Sequence, residues 1–330
     1  MTKIVKISIF FLFACALPSA AQGVRYTVSP VNAESVLRES QLRETVARLT
    51  DPAGGGRAMG TEGGAKTAAW LSSAFGEIGL TPLSGTFQHG FTAGGVFGRN
   101  VIGLIPGSAA VPRYVVLMAH FDSLGRLGDT FYPGADSNAS GVAALLELAR
   151  MMMHMHDIRR NYGASLLVVA LDGKEKDLAG ADELWRRISE GRLLDPVAGK
   201  PVSAADIAFA VNLDQIGATL SPLTKGNPDY LLMLSDAASG RRSTLENVNR
   251  ERHIGLELGY DYYGSKDFTR LFYERVSDQR VFLSHGIPAV MFTSGITLNN
   301  NKPYDDAASL DYVVLRKRVQ LIFYYLDKLL

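Results

Sequence analysis

Acidic and imidazole side chains follow three strand-like runs of the sequence, where they could act together. His120 and Asp122 come after one apolar run, Lys174 and Glu175 after a second, and Asp214 lies within a third. Imidazole and carboxylate groups are ligand types that bind zinc, and Asp122 could orient the imidazole of His120. Spacing alone is a weak signal and favours the structural interpretation, in which these residues cap helices or satisfy loops.

The surrounding sequence alternates short apolar runs with segments of helical periodicity. The predicted helices cover residues 36–49, 65–78, 139–153 and 312–330, and the predicted strands cover 100–105, 114–119, 165–171, 207–216, 230–234 and 289–292. Strands that are apolar on both faces and separated by helices indicate an α/β fold, with a mixed, mostly parallel central sheet covered by helices on both faces. Ligands bind at the carboxyl ends of strands in such sheets, which is where the polar residues fall.

The charge balance excludes one class of partner. The 330 residues carry 34 basic and 33 acidic side chains, so no long-range field attracts nucleic acid or an anionic membrane. We therefore expect no nucleic-acid partner.

The first residues have the layout of a secretory signal peptide. Two lysines precede the apolar run 7–17, and small residues follow up to Ala21, where cleavage is expected. The run is too short for a transmembrane helix, which needs ~20 apolar residues. We expect an exported protein, periplasmic or secreted, with a signal peptide at 1–21 and one domain over 22–330. Cys15 lies in a loose lipoprotein-like box, which leaves a lipid anchor as the alternative.

Several ordered blocks of sequence carry a family resemblance. The blocks are 119–123 (AHFDS), 133–141 (PGADSNASG), 171–175 (LDGKE), 212–214 (NLD), 277–279 (SDQ), 286–288 (GIP) and 292–295 (FTSG). In this order they resemble the zinc-dependent aminopeptidases of metallopeptidase family 28, which are co-catalytic di-zinc exopeptidases. The resemblance runs from about Leu42 to the C-terminus, and it implies the α/β fold and zinc-dependent peptide hydrolysis.

Six working positions of that family can be carried over to this sequence, and half of them are changed. The retained metal ligands would be His120, Asp214 and Glu175. The changed positions are Ser137 for the bridging Asp, Lys174 for the general-base Glu and Asn301 for the late His ligand.

These changes weaken the expected metal chemistry. Two divalent ions about 4 Å apart need a shared carboxylate, which Ser137 cannot supply. Asp136 is adjacent, but the one-residue shift should direct its side chain elsewhere. Asn301 offers only a neutral carbonyl oxygen. We expect at most one zinc ion, with none as the other outcome.

Lys174 changes the chemistry further, because an ammonium has no lone pair to accept a proton from water. We hypothesise that Lys174 stands in for a metal by compensating the carboxylates around it; the alternative is that it points to solvent. In the late block, Gln279 follows Asp278 where the family usually has a His, so the pocket has changed more widely.

Two functions remain open from the sequence. The first is an exported, non-catalytic or strongly impaired peptidase homologue whose crevice binds peptide or protein N-termini. The second is an active aminopeptidase that releases N-terminal residues with one zinc on His120 and Asp214. A nucleotide site at residues 60–67 and a serine nucleophile beside His285 are not supported, because neither segment has the required motif.

Overall fold

Four parallel strands form the centre of a nine-stranded sheet. The structure is a computed structural model that describes residues 33–158, 160–235, 240–262 and 264–330. Residues Ala33–Leu330 pack as one compact unit. The predicted signal peptide, its cleavage after Ala21 and the possible anchor at Cys15 all lie outside the described residues and stay predictions.

The strands of the described residues, in chain order, are β1 (Thr81–Pro82), β2 (Gln88–Ala93), β3 (Val96–Ile105), β4 (Tyr114–His120), β5 (Gly125–Leu127), β6 (Thr130–Tyr132), β7 (Ser165–Leu171), β8 (Leu194–Asp195), β9 (Lys200–Pro201), β10 (Ile207–Leu213), β11 (Tyr230–Ser235), β12 (Glu257–Gly259) and β13 (Ala289–Thr293). The helices are α1 (Glu39–Thr50), α2 (Glu62–Ile78), α3 (Ser140–Asp157), α4 (Ala179–Ser189), α5 (Arg241–Glu251), α6 (Lys266–Arg275), α7 (Gln279–Ser284) and α8 (Tyr312–Leu329).

The sheet has the order β1-β3-β7-β4-β10-β13-β11-β12, with β2 paired to β3 at one edge. The pairs β7–β4, β4–β10, β10–β13 and β11–β12 are parallel. The pairs of β3 with β1, β2 and β7 and the pair β11 with β13 are antiparallel. The predicted mixed α/β fold is confirmed, with the parallel pairing concentrated at the centre.

Helices cover both faces of the sheet, as the apolar strands require. Side chains of α1, α2, α3, α5 and α8 pack on one face in the largest apolar cluster. Helices α4 and α7 pack on the other face, and α6 covers the end formed by β11 and β13. Strands β4 and β7 are buried along their whole length, which explains their unbroken apolar sequences.

The predicted ends of several elements, among them α1, α2, α3, β3 and β10, differ from the observed ones by three or four residues. The second helix begins at Glu62, because Thr61 accepts a hydrogen bond from the Gly64 N–H and so caps it. The hairpin of β2 and β3 and the short helices α4 to α7 were not predicted. No helix among the described residues is long and apolar enough to cross a membrane.

Candidate functional site

The carboxyl ends of β4, β7 and β10 meet at one edge of the sheet. His120 is the last residue of β4 and pairs with Leu171 at the end of β7, while Asn212 of β10 pairs with Met118. We call the place where the residues that follow these ends come together the crevice. This convergence places the imidazole of His120 beside the carboxylate of Asp214, as the strand-end pattern predicts.

His120 lies between two carboxylates at the bottom of the crevice. Its Nδ1 is 3.1 Å from the backbone oxygen of Asp122 and 3.4 Å from the Oδ1 of that residue. Its Nε2 is 3.4 Å from Asp214 Oδ1. Within the described residues, neither Nε2 of His120 nor Oδ1 of Asp214 has a partner in hydrogen-bond geometry.

The charges of this group are strongly coupled. Burial and the nearby Lys174 favour a neutral imidazole, but the contacts with Asp122 and Asp214 outweigh them and raise the pKa of His120 to about 10. Burial would raise the pKa of Asp214, yet Lys174 and His120 hold it well below its usual range. The pKa of Asp122 is likewise lowered, against the effect of burial, by His120 and by two backbone N–H groups.

Lys174 points into this group of carboxylates. Its Nζ donates to Glu175 Oε1 at 3.1 Å. Burial disfavours the ammonium, but Asp214, Glu175 and Asp278 overcome that cost and raise the pKa of Lys174 above its usual value. The Asp122 carboxylate accepts from the backbone N–H groups of Lys174 and Glu175, both at 3.0 Å, so the turn that carries the two side chains is fixed to β4.

The two members of this ion pair also separate the deeper groups from solvent. The side chains of Lys174 and Glu175 are 11% and 21% exposed, whereas those of His120 and Asp214 are 0% and 2% exposed. A ligand that enters the crevice therefore meets Lys174 and Glu175 before it meets His120 or Asp214.

The late block supplies a second layer of polar groups behind Asp214. Ser277 Oγ lies 2.5 Å from Asp214 Oδ2, and Asn212 Nδ2 donates to Ser277 Oγ at 2.8 Å. Gln279 accepts from Asn212 at 2.7 Å and donates to the backbone oxygen of Tyr273 at 2.7 Å. Gln279 is thus a buried structural link, because one amide can both accept and donate.

Asp278 is the least satisfied residue of the site. It is fully buried, and neither carboxylate oxygen has a hydrogen-bond partner in the described part of the chain. Burial, together with Asp214 and Asp122, raises the pKa of Asp278 to about 7, against the effect of His120 and Lys174.

Ser137, which the resemblance places at the position of the bridging carboxylate, is buried, and its Oγ has no partner among the described residues. The neighbouring Asp136 points away to the β10–β11 connection, where its Oδ1 accepts from the N–H groups of Gly217 and Ala218. Asn301 lies exposed in a turn with φ of 56°, in contrast to the buried His120, Ser137 and Asp214.

The donor atoms present limit what metal the site could hold. No group of three His, Cys, Asp or Glu side chains in the described residues is arranged to hold a metal ion. The 3.4 Å between His120 Nε2 and Asp214 Oδ1 equals about the separation of two ligands on one tetrahedral zinc. His120 and Asp214 therefore fit two corners of one zinc site, while Ser137 offers no carboxylate to bridge two ions.

Residues 100–326 match the family model described as Peptidase family M28. The chain belongs to peptidase family M28. A probable zinc metalloprotease of Pyrenophora tritici-repentis (strain Pt-1C-BFP) is 25% identical over 331 residues, which cover 86% of this chain and 70% of that protein. BOS complex subunit ncln of Danio rerio is 32% identical over 151 residues, which cover 44% of this chain and 24% of that subunit.

Among solved structures, the Legionella pneumophila LapA aminopeptidase matches with a TM-score of 0.69 at 17% identity, covering 90% of this chain and 73% of that one. At this identity the likeness shows the shared fold. Zinc is the metal that this family uses, and it agrees with the zinc expectation drawn from the sequence.

Two residues that shape the M28 crevice were missed from the sequence. Arg57 is fully buried and donates to the backbone oxygens of Leu49, Phe121, Pro133 and Gly134 at 2.5–2.9 Å. Asp305 accepts from the N–H groups of Asp136 and Ser137 at 2.8 and 3.1 Å.

These two residues fix the loops on either side of Ser137. Arg318 acts similarly, because its guanidinium donates to the backbone oxygens of Ile216, Ala218 and Tyr230, each at 2.8 Å. We call Arg57 and Asp305 the buried framework. The only sequence signal for Asp305 was its place four residues after Asn301.

Proposed function

We propose that this M28 chain binds peptide or protein N-termini in its crevice and does not hydrolyse them. Lys174 carries the proposal, because its ammonium lies at the position that the resemblance assigns to the general base. An ammonium held in its charged form has no lone pair with which to take a proton from water.

The charge arrangement supports a crevice that is stable without two metal ions. Lys174 donates to Glu175, and the carboxylates of Asp214 and Asp278 hold its positive charge. A fixed cation among carboxylates offsets their mutual repulsion, as bound metal would. We therefore propose at most one zinc ion per chain.

Two further observations agree with a binding role outside the cytoplasm. One M28 relative is named as a subunit of a complex and not as a protease. The residue pattern of 1–21 has the layout of an export signal, and this part of the proposal rests on that pattern alone.

A second candidate, hydrolysis with a single zinc, is favoured by one observation. The facing atoms of His120 and Asp214 lack partners among the described residues and have the spacing of two zinc ligands. When bound there, zinc would polarise the substrate carbonyl as a Lewis acid. Glu175, whose side chain is partly exposed beside this pair, would then be placed to accept a proton.

Zinc content and hydrolysis, measured on the same purified sample, test the proposal. After dialysis against excess zinc and then against buffer, we expect near-zero zinc by elemental analysis and no hydrolysis of leucine p-nitroanilide. The variant Lys174→Glu should raise the zinc content, while Lys176→Glu, at the exposed lysine of the same turn, should not. About one zinc per chain with chelator-sensitive turnover in the unmodified protein would overturn the non-catalytic proposal.

A further inference from the structure

Lys174 and Glu175 present two complementary groups at the floor of the crevice. Their side chains are partly exposed, and Nζ lies 3.1 Å from Oε1. The ammonium has three N–H donors, of which one is used on Glu175. The carboxylate has further acceptor sites on its two oxygens. A donor and an acceptor therefore remain available side by side.

The backbone holds this pair in place. Both N–H groups of the pair are bound by Asp122 at 3.0 Å. The same turn closes through Asp177 and Leu178, which have φ of 55° and 62° although neither is glycine. This left-handed backbone conformation is energetically unfavourable for residues other than glycine. It persists only where the surrounding structure fixes it. The ligand would therefore meet a prearranged pair.

We propose that the Lys174–Glu175 pair recognises the N-terminus of a peptide, with Glu175 accepting from the α-ammonium and Lys174 donating to the first carbonyl oxygen. This inference rests on the proposed function, because it assigns the binding groups of the same crevice. It assigns Lys174 a role in recognition in addition to its charge.

The surrounding charge favours an amine end over a carboxylate end. Asp122, Asp214 and Asp278 lie behind the pair, and the charges of Lys174 and His120 act on Asp278 there. A ligand carboxylate placed on Lys174 would lie near these anions, whereas an ammonium on Glu175 would be attracted by them.

Calorimetric titration with three small probes tests the assignment. Leucinamide has both the ammonium and the carbonyl, N-acetyl-leucinamide lacks the ammonium, and 3-methylbutylamine lacks the carbonyl. We expect leucinamide to bind most tightly, with a loss of about tenfold or more for each probe that lacks one group, because charge-assisted hydrogen bonds have this strength.

Matched variants assign each loss to one side chain. In Glu175→Gln, the affinities for leucinamide and for 3-methylbutylamine should both fall by about tenfold. Lys174→Met also removes a positive charge from among the carboxylates, so the informative readout is the ratio of two affinities: leucinamide should lose its advantage over 3-methylbutylamine. Lys176→Met, at the exposed neighbour, should change neither the affinities nor the ratio.

The outcomes separate this inference from the proposed function. Equal binding of leucinamide and N-acetyl-leucinamide, or an unchanged ratio in Lys174→Met, would overturn the assignment while leaving the crevice as a binding site. Hydrolysis of leucine p-nitroanilide by the zinc-treated protein would overturn the proposed function, whatever the three probes do.

Discussion

We call His120, Ser137, Lys174, Glu175, Asp214 and Asp278 the floor of the crevice. The floor lies beside the buried framework, but the two differ in how far their buried polar atoms are hydrogen-bonded. At the floor, His120 Nε2, Asp214 Oδ1 and both oxygens of Asp278 have no hydrogen-bond partner within the described residues. In the framework, Arg57 donates to four backbone oxygens and Asp305 accepts from two backbone N–H groups. Unpartnered buried groups are rare in proteins and call for an explanation.

We infer from this difference that the framework holds the backbone of the loops, while the floor is the part of the site available for a ligand. Framework contacts go to main-chain atoms, so they hold the loops whatever side chains the floor carries. The unpartnered floor groups lie beneath Lys174 and Glu175, whose partly exposed side chains are the ones that a ligand would meet first. Exchange of floor residues such as Ser137 and Lys174 is therefore compatible with an intact M28 fold.

The largest effect that this comparison predicts is the loss of stability in Arg57→Met. Removing the guanidinium leaves its four carbonyl partners buried without that donor. Loss of one member of a buried charged network costs about 3–5 kcal/mol, so we expect a fall of this size in the free energy of unfolding. Urea denaturation followed by circular dichroism measures it.

Arg48→Met is the matched control, because Arg48 is exposed and its guanidinium lies over the Trp70 ring at 5.0 Å from the ring centroid. We expect it to cost no more than about 1 kcal/mol. Similar losses in the two variants would show that the buried contacts of Arg57 do not stabilise the loops as the comparison requires.

The floor was more predictable from the sequence than the framework. His120, Lys174, Glu175 and Asp214 all follow apolar strands, and parallel strands bring their carboxyl ends together. The α/β class followed from the same strands and is confirmed. Here local sequence carries the information, because a strand fixes the position of the residue that follows it.

The framework was missed because its contacts are remote in sequence. Arg57 lies in a glycine-rich turn and bonds to Phe121 and Gly134, 64 and 77 residues away. Asp305 bonds to backbone N–H groups 168 and 169 residues away. Nothing in the side chains of the partners marks such contacts, because the partner atoms belong to the backbone.

Asp305→Asn should have a medium effect on the framework. Each carboxylate oxygen accepts from a different N–H, Oδ1 from Asp136 and Oδ2 from Ser137. An amide presents only one oxygen, so its NH₂ would face an N–H donor, at a cost of about 1–3 kcal/mol. Thermal unfolding and amide hydrogen exchange at Ser137 should both report the loss.

Asp306→Asn is a close control for that variant. Asp306 caps a short exposed turn through Oδ1 alone, which accepts from Ala308 and Ser309. An asparagine oxygen can take over this role, so we expect a change within about 0.5 kcal/mol. An equal cost for both variants would mean that the two-oxygen contact of Asp305 has no special importance.

The smallest expected effect is the pH dependence that Asp278 gives to the free energy of unfolding. Its sign is the informative part. Its pKa is raised to about 7 from an ordinary value of 3.8. The folded state therefore holds this proton more tightly than the unfolded state, and the burial of Asp278 lowers stability increasingly as pH rises from about 4 to 7. Asp278→Asn removes the titration, so the variant should gain about 1–2 kcal/mol over the unmodified protein at pH 8 and little at pH 4.

Asp214→Asn should give the opposite sign, because the pKa of Asp214 is held below its usual range by Lys174 and His120. Its carboxylate stabilises the fold above pH 3.8, and that contribution is lost only at lower pH. Urea midpoints at pH 4 and pH 8 compare the two variants. If Asp278→Asn also lost stability at pH 8, Asp278 would act as a needed partner of Lys174, and the floor would be as internally satisfied as the framework.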